Sequence, residues 1–469
     1  MSARVGGFKG FNCNLVQASA ATSSRGEGVF QQFALVHDQA GRTCGYGGGA
    51  FMDKMGTTVV DLTNPDKAVE TTVLRTAAML NPGEGLKVHE GRGLLVSAYY
   101  INTPSTEDTP HGFDVYDVAT DCRYPQLLAS TTSLSFPTAN VRLAAGNKTP
   151  WAATERIYGH EGAFSPDGLT YYVGDLPHGV YHAIDITDPI RPQHLAVFQS
   201  PGYGVGSGMQ GLPHNLALTN DGTRGYFTNQ ALDFTAPGLM VPQTGEWHNG
   251  FMVVDTSEIQ ARKPGGQMKF LKEVVIRDGA AQQSAFPVTI GGHKYVIAVG
   301  EMGTGQINKT GIRSACAAGL TPFAMAQFFY MGDETNPKLV NKIRMEVNDP
   351  KNCAQIEPDL AAPGPLGFMY DVHHCSVDNR DNATTLACGY FQSGIRVYDI
   401  RDPMNIKEIA YYVPPAKGAV PAWCASLPFL EARTGMLYSV CQDTGVVALR
   451  FRNGVWPFPG SSTPADKQF

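Results

Sequence analysis

Four of the twelve histidines in this 469-residue chain recur in one kind of local setting. His89 stands in Val88-His89-Glu90-Gly91, His160 in Gly159-His160-Glu161-Gly162, His214 in Pro213-His214-Asn215-Leu216, and His373 in Val372-His373-His374-Cys375. Aligned on the turn signals that follow them, the four fall at nearly the same step of a strand. The matching steps elsewhere fall near Gln32, Ser284 and Ser426. Strand side chains alternate faces, so equal steps point the same way. Four imidazoles converging on one axis suit a divalent transition metal, Fe or Cu first and Zn next, doing redox or Lewis-acid chemistry at open positions. Glu90 and Glu161 follow two of the histidines, and Glu155 and Asp371 lie nearby. Such carboxylates accept the distal imidazole N–H and fix its tautomer, which makes Glu90 and Glu161 the candidate catalytic pair. A plainer reading has the histidines bonding water or backbone carbonyls along a channel. His374 competes with His373 for the inward position if its strand carries a bulge.

A closed ring of strands would be needed to bring these residues together, and the chain carries a repeat that predicts one. Short apolar strands run into an Asp and a polar turn at Thr58–Asp61, Phe113–Asp117, Tyr181–Asp185, Phe251–Asp255, Phe328–Asp333 and Ile395–Asp399, with a degenerate seventh copy at Gly445–Arg450. Roughly 50–80 residues separate copies, enough for one four-stranded blade with loop insertions. Hairpin signals precede several copies: Ser165-Pro166-Asp167-Gly168, Asn220-Asp221-Gly222, Gly291-Gly292 and Arg433-Thr434-Gly435. Asp-Gly and its relatives supply the positive φ that tight hairpins need. A blade cannot bury its faces alone, so the expected fold is an all-β, seven-bladed β-propeller. Residues 1–469 then form a single domain, with 1–29 as an N-terminal extension or closing segment and 452–469 as a C-terminal tail.

The strand-Asp pattern, best seen at Arg396-Val397-Tyr398-Asp399-Ile400-Arg401-Asp402-Pro403, resembles the LVIVD-repeat family, and the likeness runs from about Phe30 to Arg450. The resemblance implies a propeller and often an exported protein; it carries no catalytic set. In architecture the arrangement is also similar to two other propeller groups. These are the carotenoid-cleavage oxygenases, with four axial histidines on iron, and the copper-binding selenium-binding-protein/methanethiol-oxidase propellers. Neither shares a residue motif with this chain.

The nine cysteines fall in no CxxC zinc pattern. Cys375 and Cys388 flank one hairpin turn and Cys424 and Cys441 the next, within disulfide reach. Cys316 would pair with Cys353 and Cys13 with Cys44, leaving Cys122 over. Nine buried thiols are the alternative; disulfides would place the protein in an oxidising compartment, secreted or periplasmic. Three glycosylation sequons (Asn147, Asn308, Asn382) are compatible with that, although Met1–Asn14 is not a secretory signal.

With 43% hydrophobic and 17% charged residues and a net charge of −6, the chain has no basic footprint for nucleic acid. No apolar run is long enough for a transmembrane helix. P-loop, dinucleotide and G-x-S-x-G patterns are lacking in a convincing setting. The expected partner is a small molecule. Trp151, Tyr158, Phe368, Tyr370 and Trp423 precede channel strands and would either form an apolar mouth or pack in the core. His111 and His248 would rim it from loops 101–112 and 231–248, and loop 302–323 is a further place for specificity. His178 and His182 read as surface residues. The leading expectation is a metal-dependent oxidoreductase acting on a small apolar or aromatic substrate. A metal-assisted lyase or hydrolase is the nearest alternative, and a secreted, non-catalytic binding platform the next.

Overall fold

The computed structural model describes residues 8–24, 30–49, 56–100, 112–131, 158–176, 179–203, 209–233, 239–242, 244–305, 308–361, 368–416, 423–442 and 444–459. His111, Asn147, Trp151, Glu155 and His178 lie outside them. The strands form seven antiparallel sheets in chain order, the blades of a seven-bladed β-propeller. The first strands of the blades are Phe30–His37, Lys87–His89, Gly162–Phe164, Met209–Leu218, Ala280–Ile290, Cys375–Val377 and Phe429–Glu431. Those of blades one to five, and of six and seven, pack side by side around the axis.

Local chemistry explains the repeat. At the end of the third strand the Asp carboxylate accepts the backbone N–H two residues on: Asp61 from Thr63, Asp117 from Ala119, Asp185 from Thr187, Asp255 from Ser257 and Asp399 from Arg401. Asp333 does the same for Thr335 just beyond its strand. These side-chain turns stop the strand and start the return to the outermost one. Every pairing of a blade's third and fourth strands then carries one register shift, from Val59/Val60 in blade one to Gln17/Ser19 in blade seven. Such bulges twist an edge away from further pairing.

The core lies between blades, because each sheet buries its faces on its neighbours. Leu94, Val96 and Val115 of blade two meet Tyr171, Val173 and Ile184 of blade three. Leu35 and Val60 of blade one meet Tyr438 and Val440 of blade seven. The ring is closed by the strand Leu15–Ala21, which pairs with the last strand, Gly445–Phe451, from Leu15↔Phe451 to Ala21↔Val446. The short strand Phe11–Cys13 adds a fifth member to blade six against Lys407–Val413.

Four disulfides are present. Cys375–Cys388 and Cys424–Cys441 each tie the start of one blade to its second strand, and Cys316–Cys353 joins the helices Lys309–Ala317 and Cys353–Ala361. The expected Cys13–Cys44 pair is corrected to Cys44–Cys122, with Cα atoms 5.8 Å apart. Cys13 lies on the outer edge of blade six opposite Tyr411 and is exposed. Cys44 sits on the second strand of blade one, where the Asp-turn of blade two brings Cys122 against it; Cys122 N–H also donates to the buried Asp38. Four disulfides point to an extracytoplasmic protein. Among the described residues no helix is long and apolar enough to cross a membrane.

Candidate metal centre

The inner strands bring their leading residues to the axis. His160 N–H donates to Gly174 O, and Gly174 N–H returns to Glu161 O, both at 2.8 Å. In blade six His373 N–H donates to Gly389 O at 2.9 Å and Gly389 N–H to His374 O at 2.8 Å. Both partners are glycines because the next blade crosses directly over them. A Cβ on Gly174 would lie 2.4 Å from His214 O, and one on Gly389 2.5 Å from Cys424 O. Side chains are therefore left out where the histidine-bearing segments approach one another.

The resulting cluster centres on Glu84, a buried carboxylate of blade two. Its Oε2 lies 3.5 Å from His160 Nε2, 3.9 Å from His214 Nε2 and 3.8 Å from His374 Nε2; its Oε1 lies 3.2 Å from His373 Nε2. Glu301 reaches in from blade five, 3.4 Å from His373 Nε2 and 3.9 Å from His214 Nε2. Gln283 donates to Glu84 Oε2 at 2.7 Å. The ligand-type atoms of Glu84, His160 and His214 all lie within 4.8 Å of one another, as do those of Glu84, His373 and His374.

Two of the imidazoles are held in one tautomer. His214 Nδ1 donates to Gln283 O at 3.1 Å and His373 Nδ1 to Ala425 O at 2.8 Å. His214 then turns an Nε2 lone pair toward carboxylates, and His373 turns an Nε2 that shares a proton or a cation with Glu84 and Glu301. His214 Nε2, His373 Nε2 and Glu84 Oε1 have no hydrogen-bond partner, although all three are buried. The 3.2 Å approach of His373 to Glu84 is close enough for an ion pair but not aligned as a hydrogen bond. Lone pairs facing carboxylates in a dry site repel unless a cation stands between them. This donor set fits a metal ion: neutral imidazoles with carboxylates suit first-row divalent metals.

Electrostatics divide the histidines into one that gains charge and two that lose it. Burial opposes charge on His373, but Glu84 and Glu301 outweigh it and raise its pKa to about 10. Burial and the neighbouring His160 push His214 well below its ordinary value, and burial with His373 does the same to His374. Glu84 is held well below the carboxylate range because His373 and His160 overcome its burial. Glu161 is raised to about 7, by burial against the pull of Lys87, which sits 3.0 Å away, and with a further push from Glu84.

The four expected ligands do not all meet. His160, His214 and His373 belong to the cluster, and His374 belongs to it too, so blade six contributes both of its histidines. His89 stands at the other end of the blade-two strand, at its turn; its Nε2 is 3.2 Å from Pro166 O and its ring packs on Phe164. Glu84 takes the place expected of it. Of the carboxylates, Glu161 borders the cluster, 3.8 Å from both His214 Nδ1 and His374 Nδ1. Glu90 instead pairs with His37 at 3.2 Å, outside the cluster. Asp371 accepts the Ala324 N–H at 2.6 Å, and burial raises its pKa well above the usual range. Gln32 supports the site by donating to Glu84 O at 3.0 Å, while Ser426 bonds Ser439 and Val440.

A channel cavity of about 250 Å³, lined by all seven blades, leads to the cluster. Glu161, Asn215, Lys87 and His374 line its inner end; its sides are Phe33, Leu35, Leu86, Phe164, Phe286 and Phe429, and His89, Glu90, Asn220 and Arg380 stand at its outer end. On the opposite side Tyr100 packs on His160, with ring centres 4.6 Å apart, and Phe391 on His373 at 4.9 Å. Phe368 and Trp423 of the expected apolar mouth pack with Phe391 there. Tyr370 belongs to a separate cluster with Phe323 and Ile312. His248 is bonded to Glu273 at 3.0 Å. His182, expected at the surface, is buried between Asp175 at 3.1 Å and His194 at 3.2 Å.

No family model and no curated protein matches the chain. Solved propellers do match in fold. Hydrazine synthase of Kuenenia stuttgartiensis is 12% identical with a TM-score of 0.54, over 92% of this chain and 99% of that one. A putative 6-phosphogluconolactonase from Bacteroides fragilis is 9% identical with a TM-score of 0.51, over 96% and 97%. At these identities the likeness establishes the architecture alone.

Proposed function

We propose that the protein is an exported metal-dependent enzyme, an oxidoreductase acting on a small apolar or aromatic molecule. Its metal would be held on the propeller axis by His160, His214, His373 and His374 around Glu84. The observation that carries this reading is the set of buried Nε2 and carboxylate atoms that face one another without hydrogen bonds. A protein-binding platform has no use for them, and each costs stability unless something fills the gap. A bound Fe or Cu would supply redox chemistry; Zn would supply Lewis-acid polarisation. The chain's own residues contribute the rest. The aromatic and aliphatic walls select an apolar body, and Lys87, Asn215 and Glu161 present polar groups where the substrate's reacting end would reach the cluster. Solved propellers of similar fold include proteins described as enzymes, which supports the class but not the reaction. The regular strand-Asp turns support kinship with LVIVD-repeat proteins.

Plasma mass spectrometry on untagged protein tests the reading, beside a His160→Ala/His214→Ala double variant. Fe or Cu at one or more ions per chain, with the share held by His160 and His214 lost in the variant, is the expected result. Stoichiometric Zn would move the reaction to a metal-assisted lyase or hydrolase. No metal after reconstitution with Fe(II), Cu(II) and Zn(II) would overturn the reading.

A further inference from the structure

The axial cluster holds more donors than one ion takes. First-row ions bind nitrogen and oxygen at about 2.0–2.2 Å, so two ligands of one ion are at most roughly 4.4 Å apart. The donors divide into two triads of about that size, Glu84 with His160 and His214, and Glu84 with His373 and His374; the five residues do not form a single such group. Each triad brings two imidazoles from one side, with ring centres 3.9 Å apart for His160 and His214 and 4.3 Å for His373 and His374. Glu84 belongs to both. Its Oε1 faces His373, and its Oε2 faces His160, His214 and His374. Glu301 spans the same gap, with Oε1 3.4 Å from His373 Nε2 of one triad and Oε2 3.9 Å from His214 Nε2 of the other. Glu301 thus has one oxygen toward each nitrogen cluster and Glu84 reaches both, the placement of bridging carboxylates in a two-metal site, where ions stand about 3.5–4 Å apart.

We infer that the axis binds two divalent transition-metal ions, one on His160 and His214, the other on His373 and His374, with Glu84 and Glu301 bridging them. This rests on the metal reading above and extends it from one ion to a pair. The second-sphere contacts are divided in the same way. Gln283 O orients His214 in the first triad and Ala425 O orients His373 in the second. Gln283 Nε2 donates to Glu84 Oε2 at 2.7 Å and so orients the bridge. Lys87 neutralises Glu161, the carboxylate bordering both triads, so that it need not compete with the bridges.

The test is a count on the full-length, untagged protein. Metal-free protein is loaded with Co(II) or Mn(II), separated from free metal by gel filtration, and assayed for ions per chain. Two ions per chain are expected, with an exchange-coupled electron paramagnetic resonance signal for Mn(II). His160→Ala and His374→Ala should each lower the count to one and replace the coupled signal with that of an isolated ion. One ion per wild-type chain with an isolated-ion spectrum would overturn the two-metal inference and leave the metal reading standing. None would overturn both. Two ions retained in both variants would place the second ion elsewhere and equally overturn the inference. Because the wild-type count alone discriminates, the test survives a variant that does not fold.

Discussion

The inner strands carry two histidine–carboxylate clusters, one at each end of the channel, and they are built on opposite principles. At the turn end, His37 lies between Glu431 at 2.8 Å and Glu90 at 3.2 Å; Glu431 also takes Arg433, and the His37 N–H goes to Glu90. Both His37 ring nitrogens are matched, and water reaches the group. At the other end, imidazoles and carboxylates are buried without enough protons between them to satisfy every atom. The same residue types on the same strands thus yield a joint in one place and a candidate reaction centre in the other. What separates them is unmet polar demand, a more discriminating sign of function than the presence of histidine.

The sharpest way to break this comparison is to mutate both ends and count metal. His214→Ala should weaken binding of the ion it shares with His160 by at least about 100-fold and so lower the metal count, since it removes a direct ligand and even supporting residues cost 10–100-fold. His37→Ala should leave metal content unchanged. Equal losses in plasma mass spectrometry would show that the two ends are one system. Next, Gln283→Ala, which removes the donor to Glu84, should weaken metal affinity about 10-fold without changing the fold by circular dichroism. Unchanged affinity would mean that Gln283 does not orient the site.

A smaller effect is expected from proton linkage at the turn end. Glu431 and Glu90 raise the His37 pKa from 6.5 to about 9, so its stabilisation is complete below pH 6.5 and fades as the pH rises through about 9. Burial works against charge on Glu431, but His37, Thr434 and Arg433 hold it at about 2, so its contribution is present above pH 4.5 and lost as the pH falls through about 2. The joint should therefore be strongest between pH 4.5 and 6.5. Glu431→Gln should cost ~1 kcal/mol there, discounted for the solvent around His37, and much less at pH 10. Melting temperatures of wild type and variant that stay equally spaced from pH 5 to 10 would contradict this. Smallest of all, His89→Ala should cost about 0.5 kcal/mol, the low end for a lost cap, since its Nδ1 accepts the Arg92 N–H, and should leave metal content unchanged.

Which parts of this were legible in the sequence follows from how local each signal is. The strand-Asp copies were readable because one side chain closes each turn on its own backbone, and the hairpin cysteines 375/388 and 424/441 because they lie across one ladder. Cys44–Cys122 joins two blades and leaves no local trace. His160 and His214 stand equally far ahead of their turn glycines, Gly168 and Gly222, both at φ +68°. The same step back from Gly93, the left-handed residue of the blade-two turn, lands beside Glu84. His89 stands only four residues ahead of Gly93, so it falls at the turn and not at the step that Glu84 occupies. In blade five a register shift between Gln282 and Ser284 lets Gln283 reach Glu84. Glu301 comes from a second strand, His293–Met302, which a rule about first strands cannot find.

The strand that closes the ring sets an order of events in the cell. Leu15–Ala21 precedes six blades in the chain, and its partner Gly445–Phe451 follows them. Until that partner has been made the earlier segment has no ladder to join, and blade seven cannot be finished. The six blades between can form as the chain emerges, but sealing waits for the seventh. A protein crossing a membrane unfolded would hold that step until both segments had arrived on the far side. Closure and capture of metal from that compartment would then coincide, since the histidines on the axis meet only when the blades that carry them stand in a ring.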